Sequence, residues 1–198
     1  MKNLIKNSLV VAALFATLLG NASPSLNELN DEKRTTIRLN DVKQGDHLLI
    51  KDAYGTILYK EKIQNSGNYI KGFDLTELPD GTYFFELDNS FETKIIPFQV
   101  NVNNVIFNKE QEAIIYKPLV NNKDNKVYIS KLSLNEQPLS IEVHYENENH
   151  VDIGLIYSET IENTKSIRRI LSLNKLKKGS YKIVIKTEGR TFVDYVRI

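Results

Sequence analysis

The chain has 198 residues, and its 26 Lys and Arg against 25 Asp and Glu give a formal net charge of +1. A balance this even argues against a nucleic-acid partner, because phosphate binding needs a clustered basic surface. With no Cys anywhere, stability has to come from a core and sheet ladders rather than disulfides, and the length allows one domain or two small ones.

Met1, Lys2 and Lys6 make a short positive start, no acidic residue precedes Glu28, and Leu9 to Leu19 are apolar apart from Thr17. Gly20 and Ala22 then place small residues at the −3 and −1 positions of a cleavage site before Ser23. That order predicts a signal peptide over residues 1–22. The apolar run is too short for the roughly 20 residues that span a bilayer, and no Cys follows it to carry a lipid. Cleavage would remove Lys2 and Lys6, leaving 24 basic against 25 acidic residues and a net charge of −1. Residues 23–34 read as a polar lead-in. No later stretch is long and apolar enough to span, so the expectation is an exported protein of the periplasm, cell surface or extracellular space, with no stable transmembrane segment after cleavage.

From there on the pattern is period two, the mark of strands with one face in a core. Ile37 to Leu39, Leu48 to Lys51, Ile57 to Ile63, Tyr69 to Phe73, Tyr83 to Leu87 and Lys94 to Val100 are predicted strands of a first module, residues 35–101. Asp52-Ala53-Tyr54-Gly55 is the hairpin turn between the second and third. Val105 to Phe107 and Ala113 to Lys117 look like extra strands; residues 102–198 group them with a second module. Its strands are Val127 to Leu132, Leu139 to Tyr145, Val151 to Ile161, Ser166 to Leu171, Tyr181 to Ile185 and Thr191 to Ile198. No stretch shows a sustained helical period.

The two halves repeat each other. Leu58 to Val100 lie over Ile156 to Ile198 without a gap, matching Tyr59 with Tyr157, Glu61 with Glu159, Leu75 with Leu173, Leu78 with Leu176, Gly81 with Gly179 and Tyr83 with Tyr181. Upstream, Thr35 to Ile50 lie over Lys126 to Ile141, and an insertion around Tyr145 to Asn149 takes up the difference. Gly81 and Gly179 are expected at positive φ, closing the turn before each fifth strand. The leucines beside them are expected to plug the end of the sandwich. The predicted fold is therefore all-β: two tandem antiparallel β-sandwich modules of immunoglobulin-like type after the signal peptide.

The runs IKDAYGTILYKEKI and FDLTELPDGTYFFEL resemble the C-terminal sorting domains of the Bacteroidota type IX secretion system, and the immunoglobulin-like modules of short exported proteins from that phylum. The elements carrying the resemblance are the Asp-x-x-Gly turn at Asp52 to Gly55 and Leu-x-x-Leu-x-x-Gly-x-Tyr at Leu75, Leu78, Gly81 and Tyr83. The second module keeps the latter at Leu173, Leu176, Gly179 and Tyr181. The resemblance implies a structural or secretion-associated role through protein contacts, with secretion machinery or envelope proteins as partners.

Catalytic chemistry is not expected. Nucleophile motifs and a Gly-rich phosphate loop are missing, and the carboxylates are scattered over presumed solvent faces. His144, Glu146, Glu148 and His150 could offer nitrogen and oxygen ligands to zinc, but such a polar hairpin tip reads first as a solvated loop, so no catalytic, cofactor or metal residue is predicted. His47 reads as a surface strand residue. Phe84, on the face opposite Tyr83 and Phe85, and Phe91 in the following turn raise an alternative reading, a small module binding glycan or peptide on exposed aromatics.

Overall fold

The computed structural model describes residues 35–146, 152–172 and 178–197. The expected signal peptide, the lead-in and Leu173 and Leu176 lie outside them. Among the described residues the chain is almost all antiparallel β, as the alternation predicts. It divides into two compact units between Ile114 and Ile115.

The first unit holds β1 (Thr35–Val42), β2 (His47–Asp52), β3 (Ile57–Lys62), β4 (Gly67–Phe73), β5 (Gly81–Asp88), β6 (Glu92–Asn101) and β7 (Asn104–Phe107). One sheet runs β3-β2-β5-β6-β7, and β1 pairs β4 in the other. Side chains from both meet in one core: Ile37, Leu39 and Phe73 from the pair, and Leu48, Ile50, Phe85 and Phe98 from the larger sheet. Leu75 and Leu78 are buried in that core too, where the sequence expects end plugs. Phe85 and Phe98, 5.1 Å between centroids, both stack near Phe107 of β7, a geometry that adds to area burial.

The turn at Asp52 forms as expected: Gly55 N donates to Asp52 O at 3.1 Å. The Asp52 carboxylate accepts from Tyr54 N and Thr56 N at 2.9 and 2.8 Å, and Gly55 takes φ +82. Before β5, the Tyr83 hydroxyl donates back to Pro79 O at 2.7 Å, pinning the crossover to the strand it enters. Gly81, however, has no positive φ, and a Cβ there would only touch the Tyr83 ring at 3.6 Å. The glycine that the geometry demands is Gly179. Its φ is +153, and a Cβ would stand 2.7 Å from the Tyr145 ring and 2.9 Å from Glu146 O.

The strands within 102–118, whose placement the sequence leaves open, pair with β6. Val102 and Asn103, at φ 47 and 62, make a two-residue turn that folds β7 straight back onto β6, with Asn101 opposite Asn104. A turn with both central residues at positive φ follows the twist of the flanking strands. β8 (Ala113–Tyr116) also pairs β6.

The second unit contains β9 (Leu119–Lys123), β10 (Lys126–Leu132), β11 (Leu139–Glu146), β12 (Asp152–Ile161), β13 (Ser166–Ser172), β14 (Ser180–Thr187) and β15 (Arg190–Arg197). Its sheets are β12-β11-β14-β15 and β13-β10-β9. Val127, Ile129 and Ile167 of one sheet meet Leu139, Ile141, Ile183 and Val196 of the other in the core. β9 is absent from the sequence reading because LVNNK carries too few apolar residues to show a period. Its signal is the turn at Asp124 and Asn125, at φ 52 and 54, which returns the chain onto β10.

Strand for strand, β3-β2-β5-β6 matches β12-β11-β14-β15, and β1-β4 matches β10-β13. Register corrects the upstream superposition by one residue in β1 and by two in β2, where Leu48 faces Leu87 and Glu61 as Ile141 faces Ile185 and Glu159. Ile37 faces Lys71 and Leu39 faces Tyr69; Ile129 faces Arg169 and Lys131 faces Ile167. Ile37 therefore corresponds to Ile129, not to the exposed Tyr128, and Leu39 to Lys131. The physical reason is a bulge in β1 between Leu39 and Val42, with Asp41 at φ 57. It inserts one residue that β10 lacks.

Candidate interaction surface

The same three-residue arrangement joins the two sheets in each unit. In the first, the Tyr59 hydroxyl and Lys71 Nζ both donate to Glu61, Tyr69 adds a hydroxyl at 3.0 Å, and Lys71 also donates to Tyr59 at 2.7 Å. Tyr59 and Glu61 sit on β3, Tyr69 and Lys71 on β4. In the second, Tyr157 donates to Glu159 at 2.8 Å, and Arg169 Nε donates to both carboxylate oxygens at 2.9 Å. Residues two apart on a strand share a face, so each tyrosine and glutamate meet the cation from the edge strand of the opposite sheet.

These bonds set the charge states. Burial works against the Glu61 carboxylate, but hydrogen bonds from Lys71, Tyr59 and Tyr69 outweigh it and hold Glu61 below the ordinary carboxylate range. Glu159 is held low by Arg169 first and Tyr157 second. Burial and then the Glu61 charge push Tyr69 well above an ordinary phenol. Each glutamate is thus a fixed anion with its lone pairs already engaged. Such a carboxylate clamps strands and is poorly placed to exchange protons.

The residues that sequence raised as ligands are not brought together among the described residues. His144 lies mid-β11, opposite Lys182 of β14 and Leu155 of β12. Its Nε2 stands 3.7 Å from Glu142, whose carboxylate Lys186 holds at 2.9 Å. Glu148 and His150 fall outside the described residues, and no group of three metal-ligating side chains occurs within them. His47 is a partly exposed residue of β2, between Lys62 and Asp88. Phe84 is half-buried between Lys51 and Pro97 on neighbouring strands, whereas Phe91 is 67% exposed in the turn beyond β5. Four residues of extended strand, about 13 Å, separate Phe84 from the end of β5, so the two rings do not share a platform. Beside Phe84, Glu86 is buried rather than solvated, because Lys51 pairs with it at 2.7 Å across the sheet face.

One difference between the units concerns an edge. β6 carries β7 and β8 on its outer side, whereas among the described residues its counterpart β15 has β14 as its one neighbour in the sheet order. The Arg197 carbonyl accepts from Asn122 Nδ2 at 3.4 Å. Along β15, Phe192 packs on the core and Val196 is part of it, while Val193 and Tyr195 are exposed on the other face. Asp194 lies between Phe192 and Val196 on the core-facing side. Burial alone raises its carboxyl above the ordinary range, and it has no hydrogen-bond or ion-pair partner among the described residues.

No family model matches the chain, and no curated protein matches it. Among solved structures it is similar to the BSP domain of a biofilm-associated protein, at 13% identity and a TM-score of 0.26, covering 83% of this chain and 27% of that one. The chain thus spans about a quarter of that structure's length. No helix among the described residues is long and apolar enough to cross a membrane.

Proposed function

We propose that the chain is an exported, non-catalytic protein of the bacterial envelope or extracellular space, built from two copies of one immunoglobulin-like module and acting through protein contacts. The observation that carries the module reading is the matched pair of clamps, Tyr59–Glu61–Lys71 and Tyr157–Glu159–Arg169, at equivalent places in sheets of the same strand order. A pair plus a four-stranded sheet, with a tyrosine at the start of β5 bonded back to its own crossover, supports the immunoglobulin-like reading. The non-catalytic part draws support from three carboxylates held below their ordinary range, Glu61, Glu159 and Glu142, each of which is paired with Lys or Arg. Such ion pairs are structural ties, whereas a general acid or base needs a free and tuned proton.

Export rests on residues 1–22, and the secretion association on the resemblance carried by the Asp52–Gly55 turn and the Leu75–Tyr83 element. The test is fractionation of the native host into cytoplasm, periplasm, outer membrane and medium, with N-terminal sequencing of the recovered protein. The expected result is a chain beginning at Ser23 outside the cytoplasm. A cytoplasmic chain still beginning at Met1 overturns the proposal. The glycan-binding alternative draws little support from the aromatics, since Phe84 and Phe91 lie apart.

A further inference from the structure

We propose that the open edge of β15 is a docking site for an extended segment of a partner protein, one that sets an apolar residue against Val196 and a Lys or Arg opposite Asp194. This rests on the protein-contact reading above and names its surface.

The first unit supplies the template. Tyr83 faces Phe98 and Phe85 faces Ile96 across β5 and β6; Tyr181 faces Val196 and Ile183 faces Asp194 across β14 and β15. Val196 therefore stands where Phe98 stands, and Asp194 where Ile96 stands. In the first unit that edge is closed. β7 lies antiparallel on β6 with Phe107 opposite Phe98, 5.7 Å between ring centroids, and Ile96 is buried. Among the described residues no strand lies on the same edge of the second unit, beside Val193, Tyr195 and Val196, and such an edge is a surface that proteins commonly guard against chance pairing.

Asp194 determines which strand is admitted. An inward carboxylate on an edge repels a purely apolar strand, because pairing would strip water from an anion with nothing to neutralise it. A strand bringing a cation to that position meets a ready counter-charge as it closes, and the ion pair then fixes register as well as sign. Antiparallel pairing in the register of β7 places the cation two residues after the apolar residue that covers Val196.

The chain itself contains a sequence with that spacing: Asn104 to Lys109, with Phe107 two residues before Lys109. A synthetic peptide of that sequence, blocked at both ends, is the probe, titrated into the full chain with hydrogen exchange followed at β15. The expected result is slowed exchange at alternate β15 amides, with affinity lower by at least about tenfold for a peptide carrying Glu in place of Lys. Asp194→Lys should reverse the preference between the two peptides. Asp194→Asn, which keeps shape at a partly exposed site, should abolish it while leaving the thermal melt cooperative. Unprotected β15 amides overturn the proposal. Equal binding of the two peptides does so too, as does a preference that survives Asp194→Lys; Asp194 would then be a guard against pairing and no more. Failure of export in the fractionation experiment would leave this preference untouched, so the two readings fail separately.

Discussion

Arg169 reaches from β13 to Glu159 on β12, where its Nε donates to both carboxylate oxygens at 2.9 Å and its Nη2 stands 2.8 Å from one of them. Lys71 and Glu61 make the corresponding tie between β4 and β3. In each unit the tie joins strands from different sheets, so it resists the sheets opening like a book. Glu61→Gln and Glu159→Gln keep the shape and remove the charge, and each should lower stability by about 1 kcal/mol, since both sites are partly solvated. Denaturant melts check this, and two melts superimposable on the parent would remove the clamp.

The acid limb of stability follows from the same pair. Glu61 and Glu159 have folded pKa values below the ordinary 4.5. Their contribution is therefore present above the unfolded pKa and is lost as pH falls through the lower folded values. Melts should weaken between about pH 5 and pH 3, and the double Gln variant should flatten that limb. Asp194 has the opposite sign. Its folded pKa is raised above 3.8, so its contribution is present below the unfolded value and lost as pH rises through the folded one. Asp194→Asn should accordingly be at least as stable as the parent at neutral pH and gain nothing in acid.

Glycine 179 and glycine 81 look alike in sequence and differ in space. Gly179→Ala forces a Cβ to within 2.7 Å of the Tyr145 ring and 2.9 Å of a backbone oxygen, at a φ of +153. It should cost more than about 2 kcal/mol. Gly81→Ala meets only ordinary contacts at 3.6 Å and should change stability by less than about 0.5 kcal/mol. Paired melts of the two variants decide it, and equal losses would mean that both turns share one geometry.

The alternation of Tyr83, Phe85 and Leu87 with Phe84 and Glu86 was enough to place β5 and its core face, because period two maps directly onto a half-buried strand. The repeat likewise led to the pairing of Glu61 with Glu159. What escaped was whatever depends on register or on a partner strand. The bulge at Asp41 shifts β1 by one residue, and a one-residue slip exchanges core and solvent faces, so an ungapped superposition sets Ile37 against Tyr128 where the strands set it against Ile129. β7 and β8 were visible as strands, but their attachment to β6 was not, since an edge has no sequence signature of its own. Asp194 and Lys131 both break the apolar alternation at core-facing positions. Such violations of pattern were the available signal for them.

Lys131 is the deeper of the two violations, and the last prediction concerns it. Register places it where the first unit has Leu39, and its side chain is fully buried. Its Nζ lies 2.5 Å from the carboxylate of Glu188, itself only 8% exposed, and donates to Leu132 O at 3.1 Å. Glu188 occupies the turn between β14 and β15 at φ 51, so the pair ties that turn to the opposite sheet. Removing one partner strands a buried charge, and Lys131→Leu alone should cost about 3 kcal/mol or more. Replacing both removes the charge and the need for it together. Asn is the replacement for Glu188 that tolerates a positive φ, and Lys131→Leu with Glu188→Asn should recover to within about 1 kcal/mol of the parent. The double-mutant cycle measures the coupling directly. Additive losses would mean that the two side chains do not stabilise each other, and that the turn is held by its backbone alone.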